Sequence, residues 1–241
     1  MVRLKVGLFE KDLAGRFDIS ISQVSKIFTT FVNIMRLELK QLHSTMPPQE
    51  EVRRYMPESF SEYPTTRMII DCTELYIETP SSMTAQSQTW SQYKHHNTFK
   101  ALVAITPIGQ VCFVSKLWTG KVSDKEITIE SGVLELLEKG DNLMADRGFD
   151  IVDVMPLGTT LNIPPFKGSR SQLTASETEE TKKIAAVRIH VERSIKRIKS
   201  YHILDGVMPL SLHSMASEIF ETCAYLSNFG NFLVQPSTRN F

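Results

Sequence analysis

The sequence predicts a mixed α/β fold, one sheet flanked by helices. Three observations carry this. "RMIIDCTELYIE" (67–78) is a long apolar strand. "TFKALVAIT" and "QVCFVSKLW" flank "PIG" and make a hairpin of two buried strands. After the hairpin, capped helical segments alternate with short strands. At 241 residues the chain can bury one large core and carry a small appendage.

Residues 1–44 read as helical, with "EKDLAGRF" a short amphipathic helix and "DIS" a turn. In the longer helix "ISQVSKIFTTFVNIMRLELKQL", Val24, Ile27, Phe28, Phe31, Ile34 and Met35 recur at helical spacing. Spacing leaves two readings open: a helix-turn-helix DNA reader, or a helical hairpin packed on the main domain. Residues 44–66 are polar and proline-studded and read as a connector. The predicted organisation is 1–45 helix-turn-helix-like, 46–66 linker, 67–232 main domain and 233–241 tail.

Beyond the first strand and a Ser/Thr/Gln-rich stretch comes the hairpin. "SDKEITIESGVLELLEKG" (123–140) then predicts a helix, opened by a capping box of Ser123 with Glu126 and closed by Gly140. "DNLMADRGF" is a short strand running into a loop, and "LNIPPFKG" a short strand stopped by two prolines. Thr174 with Glu177 starts a long helix whose apolar stripe is Ile184, Val187, Val191, Ile195 and Ile198.

Composition narrows the function classes. Net charge is zero, so no global polycation speaks for nucleic acid and any basic partner surface must be local. Cys72, Cys112 and Cys223 are far apart and form no CxxC pair, which argues against a zinc site and a disulfide framework. No charged-then-apolar leader and no run of 18 apolar residues is present, so neither secretion nor a membrane span is expected.

Three carboxylates stand out. Asp71 interrupts an apolar strand, where a charge is costly unless paired or metal-bound; a backbone-bonded aspartate is the simpler alternative. Asp146 follows a strand end and precedes Arg147 and a glycine, so a turn role or an ion pair is open to it. Glu192 is a lone acid in "RIHVERSIKRIK", where Arg188 and Lys196 at i−4 and i+4 would make a surface ion pair worth a few tenths of a kcal/mol. Taken together, the three can converge at one sheet edge. Oxygen-only ligands suit Mg²⁺ or Mn²⁺, and the basic residues around Glu192 would then hold a nucleic-acid backbone.

The motifs "IIDCTELYIETP", "YKHHNTFKALVAI", "SDKEI", "LMADRGFD", "LNIPPF" and "RIHVERSIKRIK" resemble, in order from about residue 67 to residue 232, those of DDE superfamily endonucleases. More narrowly they resemble Harbinger-type transposases and the related regions of THAP-domain proteins. The resemblance implies a ribonuclease-H-like fold behind an N-terminal helix-turn-helix. It also implies an Asp-Asp-Glu triad of Asp71, Asp146 and Glu192 holding two divalent ions, Mg²⁺ or Mn²⁺. The implied activity is DNA cleavage at transposon ends followed by strand transfer.

Asp124 matches a family position as a supporting carboxylate, with a helix-capping role as the alternative. Tyr93, Lys94, His96, Thr98 and Lys100 match too. Lys94, Lys100, Arg188, Arg193 and Lys196 are candidate DNA contacts. DNA is the expected partner, with a homo-oligomer or a helper DNA-binding protein, no membrane, and a nuclear location. Cys72 stands where relatives often have glycine. As given, the sequence leaves no room for a THAP zinc finger ahead of the helices, which fits a fragment of a longer protein or a domesticated copy lacking its own end-recognition module. The alternative to a nuclease is a domesticated DNA-binding or scaffold protein that keeps the fold without cleavage.

Overall fold

The computed structural model describes residues 1–43, 46–166, 170 and 172–235. At the N-terminus, helices α1 (Val2–Val6), α2 (Glu10–Phe17) and α3 (Ile21–His43) follow in turn. Asp18 ends α2 in the left-handed region at φ 51°. Ser20 and Gln23 then open α3 reciprocally: the Ser20 amide donates to Gln23 Oε1 at 2.9 Å, and the Gln23 amide to Ser20 Oγ at 3.2 Å. Leu13, Ala14 and Val24 close a small core of their own between α2 and α3. Further along, Val32 and Leu39 of α3 enter the main core. Residues 44–45 of the predicted segment lie outside the described residues.

The predicted connector is more than a spacer. It contains α4 (Gln49–Arg54) and a 3₁₀ turn at Glu58–Phe60, and Phe60 is fully buried. Strand β1 (Thr66–Ile77) is followed by α5 (Met83–Thr89) and β2 (Trp90–Ser91), both formed within the Ser/Thr/Gln-rich stretch. Next come β3 (His96–Ile105), β4 (Val111–Val114) and β5 (Trp118–Thr119). The predicted second hairpin strand is therefore split in two. Ser115 sits at the break, where its Oγ accepts the Leu102 amide and donates to the Lys116 carbonyl.

Helix α6 (Asp124–Glu130) is shorter than the predicted 123–140 segment. Gly132 at φ 80° turns the chain into a 3₁₀ turn at Val133–Leu136, so Gly140 caps nothing helical. Strands β6 (Asn142–Met144) and β7 (Thr160–Asn162) lead to α7 (Ala175–Lys199), then β8 (Val207–Met208) and α8 (Ala216–Leu226). Residues 167–168, the end of the predicted "LNIPPFKG" segment, lie outside the described residues. The Thr174–Glu177 capping box of α7 is present in both directions. Thr174→Ala is expected to cost about 1 kcal/mol, read as a lower denaturation midpoint. An unchanged midpoint would mean that the first turn of α7 adds nothing to cooperative stability.

The sheet runs β2-β3-β1-β6-β7, with β4 and β5 also on β3 and β8 also on β1. Strands β1, β3 and β4 form an antiparallel meander, whereas β6 and β7 run parallel to β1 and each other. This is the curled mixed sheet flanked by helices expected from the sequence. Alternation along β1 separates two cores. Ile69, Leu75 and Ile77 pack with Ile184, Val187 and Val191 of α7, and with residues of α3 and α8. Met68 and Ile70 pack on the other face with Ile127, Leu134 and Phe149.

Candidate active site

Strand register brings the first two carboxylates side by side. In the parallel β1–β6 pair, Ile69 stands opposite Met144, and Asp71 and Asp146 each lie two residues further on. Beyond Ile69, β1 has no registered neighbour on that side until Tyr76 meets Val207 of β8. The sheet is therefore open beside residues 70–75, as sheets with parallel strands commonly are where they hold ligands. Asp71 has the same parity as Ile69 and so belongs to the face covered by α7. On that helix Ile184, Val187, Val191 and Ile198 are buried, while the neighbouring Glu192 is exposed.

Asp71 feels the charges of both other acids, though burial and Arg188 act on it more strongly. Burial pushes the Asp71 carboxyl up to about 6; Arg188 and the Cys72 amide, which donates to Asp71 Oδ1 at 2.9 Å, oppose this, while the charges of Asp146 and Glu192 raise it further. Asp146 is half exposed, and its Oδ1 accepts the Arg147 amide at 2.7 Å and lies 3.2 Å from Arg188 Nη1. Glu192 has no ion pair among the described residues. The surface pair expected with Arg188 does not form, because Arg188 reaches across to Asp146 instead.

Of the expected DNA contacts, Arg188 is only 7% exposed, its Nε has no partner, and its Nη1 is turned to Asp146. Lys100 is likewise engaged within the protein. Lys100 Nζ donates to the Val122 carbonyl at 2.9 Å and to Asp124 Oδ1 at 3.2 Å, and its side chain is largely covered. Lys94, Arg193 and Lys196 are exposed, with Lys94 Nζ 4.5 Å from the centre of the Tyr93 ring. Asp124 does not cap α6; Ser123 does, its Oγ accepting the Glu126 amide. Asp124 pairs with Lys100 and hydrogen-bonds the Cys72 thiol, whose pKa burial and that carboxylate push upward.

Lys199 is one of the basic residues around Glu192, but the sequence assigned it no role of its own. Its Nζ donates to the Glu74 carbonyl at 2.6 Å, capping the unpaired side of β1. The signal available was its spacing, two helical turns after Glu192 and so on the same face of α7. Burial, and then the charge of Lys94, lower its pKa.

The donor set fits a hard divalent cation in chemistry: three carboxylates, with the charge on Asp71 penalised by burial and by its acidic neighbours. Among the described residues, however, no group of three or more His, Cys, Asp or Glu side chains is drawn together closely enough to hold a metal ion. Arg188 lies against Asp146 and supplies positive charge there.

The chain combines an open mixed sheet, carboxylates just beyond the ends of two parallel strands and an N-terminal helical hairpin, and comparison with known families gives its class as a transposase-like nuclease domain. Residues 70–228 match the family model described as DDE superfamily endonuclease, and residues 1–41 match that described as helix-turn-helix of DDE superfamily endonuclease. The first match spans more than half of the chain, and the chain belongs to that family. Members of the family generally use divalent metal ions, and the two matched domains point to DNA as the partner. No curated protein and no solved structure gave a significant match. No helix among the described residues is long and apolar enough to cross a membrane.

Proposed function

We propose that this chain is a divalent-metal-dependent DNA endonuclease and strand transferase, with Asp71, Asp146 and Glu192 as its metal ligands. The observation that supports this most is the environment of Asp71, a largely buried carboxylate set into an apolar strand, whose charge Asp146 and Glu192 further disfavour. In this reading Asp71 and Asp146 hold the metal from adjacent parallel strands and Glu192 from the covering helix. Bound there, Mg²⁺ or Mn²⁺ would activate the attacking oxygen and stabilise the leaving one. Arg193, Lys196 and Lys94 grip the phosphate backbone, and Arg188 keeps Asp146 oriented. The work would take place in the nucleus, with a second copy or a helper DNA-binding protein bringing two ends together. The resemblance of its motif series to Harbinger-type transposases supports a reading within that branch.

Calorimetric titration of Mn²⁺ tests the site. Binding to the native chain should be lost in Asp146→Asn and in Glu192→Gln, both checked for folding by circular dichroism. If both variants bind Mn²⁺ as the native chain does, the ligand assignment fails. One observation favours a second reading, a domesticated DNA-binding or scaffold protein that no longer cuts: Asp146 is already neutralised by a buried arginine. Absence of Mn²⁺ binding in the native chain, with DNA binding intact, would put that reading first.

A further inference from the structure

A cavity of about 730 Å³ opens on the sheet face opposite Asp71, within the size range of small-molecule sites. Glu74 and Lys100, directly paired across β1 and β3, lie on its inner side. Gly148, two residues after Asp146, forms the wall next to Asp124, the two positions being separated by only 3.8 Å from an added Cβ to Asp124 Oδ2. The loop that carries the second carboxylate of the candidate active site thus also borders this cavity.

We propose that the cavity is a binding site for an unstacked nucleobase of a DNA strand, resting on the reading that DNA lies across the ends of β1 and β6. Two aromatic side chains stand at its mouth, Trp90 at 45% and Tyr93 at 80% exposure. The exposed Trp90 ring and the Tyr93 face turned away from Lys94 are stacking surfaces in an otherwise polar hairpin, and base–aromatic stacking tolerates any base. The lysines nearby serve the backbone: Lys121 lines the cavity and Lys94 covers the Tyr93 ring. Inside, Glu74 Oε2 accepts from Thr98 Oγ1 at 2.6 Å and Asp124 Oδ1 from Lys100 Nζ at 3.2 Å; the acceptor capacity left on these carboxylates suits the amino edges of bases.

The platform is rigid. Trp90 and Ser91 pair with Asn97 and His96 of β3, and the buried Asn97 Nδ2 donates to the Gln86 carbonyl and Thr89 Oγ1. Gly120 closes the wall so tightly that an added Cβ would meet Thr98 Oγ1 at 2.2 Å and the Thr89 carbonyl at 2.7 Å. Such packing holds the Trp90 backbone in one place relative to the sheet.

The test compares a short single-stranded oligonucleotide with the same backbone made of abasic residues, by fluorescence anisotropy on the full chain. A chelator is present throughout, so the result is independent of metal binding at the three carboxylates. The base-containing strand should bind roughly tenfold more tightly than the abasic one. Trp90→Ala and Tyr93→Ala should each erase most of that preference. Tyr93 is exposed enough that its variant keeps the fold, which covers the case of a Trp90→Ala chain that does not. Equal binding of the two strands overturns the proposal. So does a preference that survives in Tyr93→Ala, or an absence of any oligonucleotide binding by folded protein. A base preference that persists when Mn²⁺ binding has failed would leave this site standing and the carboxylate assignment fallen.

Discussion

Asp71→Asn is expected to make the metal-free protein more stable at neutral pH. The native carboxyl has its pKa pushed from 3.8 to about 6, first by burial and then by the charges of Asp146 and Glu192, against Arg188 and the Cys72 amide. A folded-state pKa above the unfolded one means that the folded state binds more protons between the two values. Its stability therefore falls as pH rises from about 4 to 6 and stays low above that. Two units correspond to roughly 3 kcal/mol at neutral pH, an upper figure for the gain in Asp71→Asn, because the amide keeps the acceptor for the Cys72 N–H but must itself be solvated. Denaturant unfolding of both chains in chelator at pH 7 and at pH 4.5 measures it, as about neutral and mildly acidic conditions around that window. The variant should lead at the higher pH, and the gap should narrow at the lower. A variant less stable than the native chain at neutral pH would show that Asp71 is an ordinary bonded aspartate.

Phe60→Ala should be the most damaging single change of those considered. Phe60 lies in the stretch that composition marks as a linker, yet it is fully buried among residues of β1, α7 and α8. Its ring centre is 6.1 Å from that of His190, on the helix that carries Glu192. Removing a buried phenylalanine costs about 3–5 kcal/mol, which for a chain of this size lowers the melting temperature by about 10 °C. Calorimetric melting checks it. A loss of less than about 1 kcal/mol would return residues 46–66 to the status of a spacer. His190 gives the same packing a second reporter, since burial and then Arg193 lower its pKa.

How legible the site was depends on the distance over which each residue acts. Asp71 could be read because a charge within "MIIDC" conflicts with its own neighbours in sequence. Glu192 could be read because its helix is otherwise basic. Arg188 and Lys100 were read as surface cations because their partners, Asp146 and Asp124, are remote in sequence and become neighbours only when β1, β3, β6 and α7 assemble. The contact of Lys199 was hidden for the same reason: the carbonyl it caps is free only because β6 ends at Met144. Phe60 and α5 lie in polar stretches whose average character hides one buried ring and one short helix.

The chain's local chemistry was enough for the class of fold. Alternating and continuous apolar runs, a Pro/Gly turn and a true capping box at Thr174 act over a few residues, so sequence alone sets strands and long helices. The order of those elements then leaves a mixed sheet with helices as the way to bury their apolar faces. Tertiary structure decided what local chemistry leaves open: that α6 stops at Glu130, that α3 splits its apolar residues between its own hairpin and the main core, and which cation meets which carboxylate. Those outcomes depend on burial and charge between segments far apart in the chain. Their free energies exist only once the sheet has closed.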